Sequence, residues 1–312
     1  MRARVWVALT AVYIAWGSTY LAIRFAVETI PPFLMAGVRF LVSAVILFIW
    51  RRSAGDALPT ARQWRAAIVV GVLLLLGGNG LLSWSEQYVP SGVAALIVGS
   101  SPLWMVLMNA VRPGGLRPDL LTILGVLVGL VGTAILVGGP GSPGGSLATL
   151  PLGVAAVLAA SVFWSLGSVV SHSADMPASA SLSTSIQMFA GAAALFLVGA
   201  WTGEWARLSP AAVSTRSFLA LGYLIVFGSL IGFVAYGWLL RNAPLSLVST
   251  YAYVNPVVAI LLGAWIGGEQ LNARVVLAAA VIIGSVILIN ASRRGRDAQN
   301  ARAAAKLGRS AT

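Results

Sequence analysis

The chain has 312 residues, of which 59% are hydrophobic and 9% charged, with a formal net charge of +12 and a mean hydropathy of +0.91. A soluble domain carries about 25% charged residues, so this composition excludes a water-soluble globular protein and predicts a surface that faces lipid. The absence of cysteine and the single histidine exclude disulfides, thiol catalysis and zinc sites with several nitrogen or sulfur ligands, and we expect no metal and no cofactor.

Ten apolar stretches are long enough to cross a membrane, since a helical span needs ~20 residues for ~30 Å of hydrocarbon. The first follows Arg2 and Arg4 as in a signal peptide, but it is too long for one and Ala26-Val27-Glu28 is a poor cleavage site, so we expect an uncleaved helix. Short connections rich in proline, glycine and charge separate the stretches. The pattern predicts an all-α polytopic membrane protein with ten transmembrane helices, at about residues 5–26, 33–50, 66–86, 91–111, 120–138, 152–171, 181–201, 217–240, 246–265 and 274–291.

The basic residues lie mainly on one side of this predicted topology. With the N-terminus inside, ten spans place the C-terminus inside as well, and the inner segments hold fifteen arginines and lysines. The outer segments hold three, Arg207, Arg216 and Arg274. Positively charged loops stay in the cytoplasm, so both termini are predicted to be cytoplasmic, and the net charge needs no nucleic-acid partner. The basic tail at 292–312 is expected to be solvated.

The second half of the chain repeats the first. A shift of 154 residues places Pro244 on Pro90 and Pro256 on Pro102, with no gap between them. Each half holds five predicted spans, an odd number, so the second half must enter the membrane from the opposite face. The sequence therefore predicts two inverted-topology five-helix repeats, at 5–138 and 152–291, joined by a linker at 139–151.

Five motifs occur in order along the chain, at matching places in the two halves. They are WGSTYLAIRFA (16–26), PPFLMAGVRF (31–40), NGLLSWSEQYVPSGVAAL (79–96), TYAYVNPVVAILLG (250–263) and GGEQL (267–271). On these motifs the chain resembles the ten-helix, EamA-type branch of the drug/metabolite transporter superfamily, over about residues 5–291. The resemblance implies a bacterial inner-membrane exporter of metabolites, amino acids or drugs, and no enzymatic activity.

Two similar halves that can rock about a shared site suit alternating access, the mechanism of secondary transporters. The sequence has no GxxxxGK[ST] motif for ATP, so the energy must come from a gradient of the substrate or of an ion. A passive channel or facilitator can share this architecture and is kept as an alternative. An intramembrane enzyme is a further alternative, although one histidine and no cysteine leave few groups for catalysis.

Arg39 lies about six residues inside the second span, roughly 10 Å below the outer surface at 1.5 Å per residue. An arginine at that depth needs a partner or a water-filled cavity. We expect it either to face the central cavity and attract an anionic or carboxylate-bearing substrate, or to pair with Glu86 or reach the headgroups. The first alternative makes Arg39 a candidate substrate-binding residue.

Asn255-Pro256 and Ser101-Pro102 lie at corresponding places in the middle of spans 9 and 4. Proline removes a backbone donor and frees the carbonyl one turn earlier, and within lipid such a group must be satisfied or line a cavity. We expect interrupted, bent helices that line the pathway, with Asn255 presenting its amide to substrate. The alternative is a packing kink in which Asn255 bonds only to backbone.

Aromatic side chains occur well inside the predicted spans, and two pairs occupy equivalent positions in the repeats: Trp16 with Trp164, and Trp84 with Trp238. Each alone is more often a core or lipid-facing residue, but an aromatic cavity with few polar anchors accepts amphipathic small molecules. The candidate substrate-binding residues are therefore Trp16, Arg39, Asn79, Trp84, Trp164, Gln187, Tyr251, Tyr253 and Asn255.

Glu86 and Glu269 are the acids nearest the membrane and the candidate groups for proton coupling. Both fall near outer span ends, so a hydrated, interfacial role is the alternative. Arg24 lies one turn before Glu28, which predicts a local ion pair or an interfacial anchor. The expected partners are the lipid bilayer, a small-molecule substrate and the proton as a coupling ion.

Overall fold

The structure is a computed structural model that describes residues 2–111, 120–137, 150–243, 250–285 and 287–288. All regular elements within these residues are helical. The predicted linker at 139–151 lies outside them except for its last two residues, and the tail at 292–312 lies outside them entirely. The elements are α1 (Arg2–Ala26), α2 (Pro32–Ser53), α3 (Ala61–Gly71), a first π segment (Val72–Gly80), α4 (Leu81–Ser85), α5 (Ser91–Val98), α6 (Ser101–Val111), α7 (Leu120–Val137), α8 (Leu150–Ser173), α9 (Ala180–Trp201), α10 (Glu204–Arg207), a 3-10 turn (Pro210–Ala212), α11 (Thr215–Tyr223), a second π segment (Leu224–Ile231), α12 (Gly232–Asn242), α13 (Tyr251–Trp265) and α14 (Ala273–Ser285).

Apolar helices account for every predicted span. Three shorter apolar stretches fall on predicted spans 4, 9 and 10; they are Ser91–Met105, Val254–Trp265 and Ala273–Ser285, respectively. The 18-residue helix α7 falls on span 5. The chain is therefore an all-α polytopic membrane protein, as predicted, and its helical stretches follow the order of the ten predicted spans. The six stretches that are long and apolar enough to cross a membrane are Ala3–Ala26, Pro32–Ser53, Ala61–Ser85, Pro151–Ser171, Ala180–Trp201 and Thr215–Leu239.

Helix α2 shows how the apolar surface is divided between core and lipid. Phe40 and Ala44 are fully buried, and the helix packs along its length on α9. Leu41, Val45 and Ile49, spaced every four residues, are 38%, 40% and 62% exposed. Exposure of such a stripe to water would cost about 25 cal/mol per Å² of apolar surface, whereas lipid tails are as apolar as the side chains themselves. This stripe is therefore the lipid-facing side of α2.

Helices of each half of the chain pack on helices of the other half. Helix α1 of the first half packs on α11, α12 and α13 of the second, and α8 of the second half packs on α4, α5 and α6 of the first. Matching glycines allow the closest approaches: a Cβ added at Gly232 would lie 2.4 Å from Trp16 Nε1, and one added at Gly78 would lie 3.0 Å from the Trp164 ring. Trp16 and Trp164 therefore occupy equivalent places at the interface between the halves.

The two π segments interrupt spans 3 and 8 at matching positions in the halves. A π-helix bonds each N–H to the carbonyl five residues earlier, and its widened backbone leaves carbonyls accessible to side chains. The Trp16 indole Nε1 donates to the Gly228 carbonyl at 3.1 Å, and the Asn79 amide donates to the Leu74 carbonyl at 3.4 Å. The first bond joins span 1 to the second π segment, and the second lies within the first π segment, to which Asn79 itself belongs.

Span 4 is interrupted where α5 ends and α6 begins, with Gly99 and Ser100 between the two helices. Pro102, in the first turn of α6, has no N–H for the carbonyl four residues earlier, that of Val98. The Ser101 hydroxyl donates to this Val98 carbonyl at 2.6 Å. The freed backbone group is thus satisfied locally, as a membrane interior requires.

Span 9 differs from span 4, because helix α13 continues through Pro256. The expected interruption at Asn255-Pro256 is therefore absent between Tyr251 and Trp265, while 244–249 lie outside the described residues. Pro256 is the sixth residue of α13, so it removes the helical bond to the carbonyl of Ala252. The helix nevertheless continues on both sides of the proline.

Candidate functional site

A cavity of about 230 Å³ lies between the two halves of the chain. Its walls come from spans 1 to 4 of the first half and from spans 6, 8 and 9 of the second. The volume is below the 300–1,000 Å³ usual for pockets of drug-sized ligands, so the cavity suits a small solute. Its lining residues are Trp16, Thr19, Tyr20, Ile23, Arg39, Gly78, Asn79, Leu82, Ala95, Val98, Gly99, Ser101, Met105, Ala160, Trp164, Phe233, Tyr236, Tyr251, Ala252, Asn255 and Pro256.

Four aromatic rings, contributed by both halves, form part of the cavity wall. The ring centroid of Trp16 lies 5.4 Å from that of Phe233, 4.9 Å from that of Tyr236 and 5.4 Å from that of Tyr251. Tyr236 and Tyr251 meet edge to face at 5.7 Å. Aromatic pairs at these distances stabilise one another beyond their buried area. The result is a rigid apolar surface for a hydrocarbon or aromatic group.

Arg39 places a cation at this cavity. It is 3% exposed, and its Nε donates to the Ser229 hydroxyl of the second π segment at 2.9 Å. Gly228 makes room for the guanidinium, since a Cβ there would lie 2.9 Å from Arg39 Nη2. In the described part of the chain no carboxylate lies within 4.0 Å of Arg39, so the direct pair with Glu86 is not formed. Among the described residues the only hydrogen bond of the guanidinium is that of Nε, which leaves Nη donors for a ligand anion.

Asn255 presents an acceptor at the same cavity. The residue is 5% exposed, and its Oδ1 has no hydrogen-bond partner among the described residues. A buried acceptor left without a partner costs about 1–3 kcal/mol, which a donor on a ligand would recover.

The cavity gathers six of the nine predicted substrate-binding residues. Trp84 and Gln187 lie outside its described wall: the Trp84 ring packs on Tyr88 with centroids 4.9 Å apart, and the Gln187 amide donates to the Ser183 hydroxyl at 3.1 Å. Trp84 follows the first π segment, whose wider turns rotate the next helix relative to a regular α-helical register. The Tyr253 side chain lies outside the described ones. The six lining residues are Trp16, Arg39, Asn79, Trp164, Tyr251 and Asn255.

Some contributors to the site were not singled out from the sequence. Tyr20 lines the cavity one turn after Trp16 on α1, so the i, i+4 spacing was an available signal. Ser229, which orients Arg39, gave no such signal, because 190 residues separate the two partners. Pairing between distant spans depends on how the helices pack, which a single sequence does not encode locally.

Glu86 is buried, in contrast to the hydrated position expected for it. It is 1% exposed, and neither carboxylate oxygen has a hydrogen-bond partner among the described residues. Glu86 interacts electrostatically with three charged residues, Arg24, Arg39 and Glu269. A buried carboxylate without a hydrogen-bond partner is expensive to keep charged, which makes Glu86 a functional candidate.

Glu269 has a different environment and lies at the start of α5. Its carboxylate accepts hydrogen bonds from Ser91 N at 2.8 Å and from Ser91 Oγ at 2.7 Å, and it lies 3.8 Å from Arg24 Nε. The expected ion pair between Arg24 and Glu28 is not formed, because Glu28 pairs instead with Arg216 at 3.4 Å. Tertiary packing thus overrides the local spacing.

Apolar spans, two halves that pack on each other in equivalent ways and a cavity at their interface define a polytopic membrane transporter. Comparison with known proteins gives the family. Residues 3–138 and 151–291 match the EamA-like transporter family, and the chain belongs to that family. This confirms the resemblance to EamA-type members of the drug/metabolite transporter superfamily.

Individual relatives agree with this assignment. Over 283 residues the chain is 40% identical to a protein of Escherichia coli (strain K12) named Uncharacterized inner membrane transporter YedA, covering 90% of this chain and 89% of that one. It is 28% identical over 298 residues to the Probable terminal-alkyne amino-acid exporter of Streptantibioticus cattleyicolor, covering 94% and 95%. A protein of known crystal structure, 23% identical, superposes with a TM-score of 0.65 over 92% of this chain and 98% of that one, which shows a shared fold. The chain is thus a multi-pass inner-membrane transporter.

Proposed function

We propose that the protein is a secondary active exporter of small organic solutes that carry an anionic group, such as metabolites or amino acids. It works by alternating access, in which the two halves rock about the cavity. The observation that carries the proposal is the guanidinium of Arg39 at a cavity lined by both halves. A cation at such depth is costly unless it serves a site, and its free Nη groups match a carboxylate or another anion.

The other residues of the cavity wall restrict the class of substrate further. The ring cluster around Trp16 accepts an apolar or aromatic group, and the free Oδ1 of Asn255 accepts a hydrogen bond from an amine or hydroxyl. One anion, one donor and one apolar group describe an amphipathic solute of the amino-acid kind. The relative named as a terminal-alkyne amino-acid exporter supports this substrate class.

Both termini are placed in the cytoplasm by this proposal, because the arginines and lysines lie mainly in the segments on that side.

For proton coupling, Glu86 is the better candidate of the two acids, because the carboxylate of Glu269 is already hydrogen-bonded at the start of α5. The charges of Arg24, Arg39 and Glu269 act on Glu86, so movement of any of these residues changes how readily the Glu86 carboxylate holds a proton. Solute flux that follows an imposed pH gradient, and loses that dependence in Glu86→Gln, is the expected result.

The test is transport by the purified protein in liposomes. Saturable flux that is stimulated by solute on the opposite side identifies a carrier, whereas linear flux without such stimulation identifies a channel or facilitator and overturns the proposal. Ligand binding to the folded state raises stability with the ratio of ligand concentration to Kd, so a thermal-shift panel of anionic, zwitterionic and cationic solutes ranks the candidates.

Arg39→Gln tests the role of the guanidinium in the same assay. We expect it to weaken binding of the anionic solutes at least tenfold and to leave cationic solutes unaffected, as for the loss of a charge-assisted hydrogen bond. Arg216→Gln, at an exposed outer position, is the matched control and should bind normally. A folded Arg39→Gln protein with an unchanged solute range would remove Arg39 from the site.

A further inference from the structure

The start of helix α5 is held by a carboxylate from the other half of the chain. The first N–H groups of a helix have no partner within it, and α5 starts at Ser91 directly after Pro90. Glu269, in the connection between α13 and α14, accepts hydrogen bonds from Ser91 N at 2.8 Å, Ser91 Oγ at 2.7 Å and Gly92 N at 3.1 Å. The helix dipole adds to the attraction, because a negative charge is favoured at this end.

The connection itself is shaped around this carboxylate. Gly268 has a φ of +66°, a conformation that favours glycine, and the Glu269 N–H donates to the Gly263 carbonyl at 2.9 Å. Gly263 cannot be larger, since a Cβ there would lie 2.6 Å from Glu269 Oε2. Arg24 of α1 approaches the other carboxylate oxygen at 3.8 Å. Through these hydrogen bonds Glu269 therefore links the end of α13 to the start of α5.

Contact between α5 and α13 continues from this capped end to the cavity. A Cβ added at Gly92 would lie 3.1 Å from Ile260, and one added at Gly99 would lie 3.2 Å from Pro256. Gly99 and Pro256 both line the cavity. Separation of α5 and α13 at the Ser91 end would open the cavity on that side, and it would withdraw Glu269 from α5.

We propose that Glu269 is the gate residue of the outer face: its bonds to α5 keep the cavity closed on the side that the charge asymmetry assigns to the outside, and their loss opens that side. The inference rests on the alternating access proposed above. A contact shifts a conformational equilibrium only if it differs between the two states, and these three hydrogen bonds exist only while α5 and α13 are together.

Glu204 offers a matched control with the same chemistry in another place. Its Oε2 accepts a hydrogen bond from Leu34 N, at the start of α2, at 3.0 Å. Glu204 follows α9 closely, and α2 and α9 pack along their whole length. The loss of this cap therefore leaves the packing of α2 on α9 in place and does not release α5 from α13.

The chain has no cysteine, which makes the gate directly measurable. Val98→Cys places one thiol at the cavity. In right-side-out vesicles, addition of Glu269→Ala should speed its modification by a membrane-impermeant thiol reagent about tenfold, because the closed state loses its bias. In inside-out vesicles the same change should slow modification, and Glu204→Ala should leave both rates unchanged.

An unchanged rate from the outer face, in a Glu269→Ala protein that unfolds cooperatively, overturns the proposal, and so does equal acceleration by Glu204→Ala. If Glu269→Ala does not fold, Ser91→Ala replaces it; this change removes only the hydroxyl bond and should accelerate labelling about threefold. Labelling needs no solute. Failure of the gate is therefore distinct from failure of the proposed function, which is the absence of saturable flux in the unmodified protein.

Discussion

A substitution of Asn255 can distinguish a role in substrate binding from a role in packing, because its Oδ1 lies at the cavity without a hydrogen-bond partner among the described residues. Asn255→Ala removes an acceptor that is costly to bury, so the free energy of unfolding of the empty protein should change by less than about 1 kcal/mol. Binding of the best solute should weaken about tenfold, as for one lost hydrogen bond. Thermal unfolding over a series of solute concentrations measures both quantities. Equal destabilisation with and without solute would assign Asn255 to the framework.

Asp56, in the connection between α2 and α3, gives the chain a pH-dependent stability. Arg51 donates to its carboxylate through Nε at 2.8 Å and Nη2 at 2.6 Å, and these bonds, with a smaller contribution from Ser179, lower the pKa of Asp56 to about 2. The folded state thus binds this proton less tightly than the unfolded chain, whose aspartate pKa is near 3.9. The stabilisation is complete above about pH 4 and should be lost as the pH falls toward 2.

Unfolding temperatures of the detergent-solubilised protein between pH 5 and 2 measure this loss. Asp56→Asn should be less stable than the unmodified protein at pH 5 and should lose less stability on acidification. Asp175→Asn, which removes a carboxylate without an ion pair among the described residues, is the control. An acid profile that is the same in Asp56→Asn and the unmodified protein would contradict the assignment.

At the scale of single residues, the sequence predicted residue types better than partners. A deep arginine and an asparagine before a proline were recognisable, since each is costly in lipid and needs a reason. The partners Ser229 for Arg39 and Ser91 for Glu269 were not predicted, because 190 and 178 residues separate them along the chain. No local pattern reports which distant helices meet.

Gly232 tests how tightly span 8 holds Trp16. A Cβ added there would lie 2.4 Å from the indole Nε1, so Gly232→Ala should displace the ring, break its bond to the Gly228 carbonyl and destabilise the protein by about 1–3 kcal/mol through overpacking. Gly222→Ala, on α11, meets nothing within 4 Å and should be neutral or stabilising, because alanine favours helices. Thermal unfolding and tryptophan fluorescence of the two variants measure the difference. A Gly232→Ala protein as stable as Gly222→Ala would show that the ring moves freely.

The π segments account for much of the structure that the sequence did not predict at the level of elements. Apolar and glycine residues in 72–80 and 224–231 are compatible with either an α- or a π-helix, so the pattern predicted plain spans. The wider turns of a π segment rotate the next helix away from its expected face, as with Trp84, which packs on Tyr88 instead of lining the cavity. Existence and order of the spans depend on hydrophobicity alone, which is why those were predictable.

Over the whole molecule, carboxylates lie near helix starts of the other half on both sides of the proposed membrane topology. On the outer side, Glu204 caps α2 from the connection that follows α9. On the inner side, Asp56 lies in the connection that follows α2, and Ser179, the N-cap residue of α9, helps to lower its pKa. Spans 2 and 7 are counterparts in the repeat, so each half supplies the acid that meets the other's helix start. This reciprocity is expected of inverted repeats whose ends are exchanged.

Three exposed positions make the proposed topology testable in cells. Gln87 follows three spans of the first half, and Thr202 follows seven spans in all; both numbers are odd, so both residues should face the outside. Ala54 follows two spans, beside Arg51 and Arg52, and should face the cytoplasm, where positively charged loops are retained. An impermeant maleimide should therefore label Gln87→Cys and Thr202→Cys in intact cells, and Ala54→Cys only after lysis. The reverse pattern would invert the proposed orientation, and with it the face that Glu269 closes. Labelling of Gln87→Cys and Thr202→Cys from opposite faces would contradict the inverted repeat itself, because equal parity of the spans before them requires one common side.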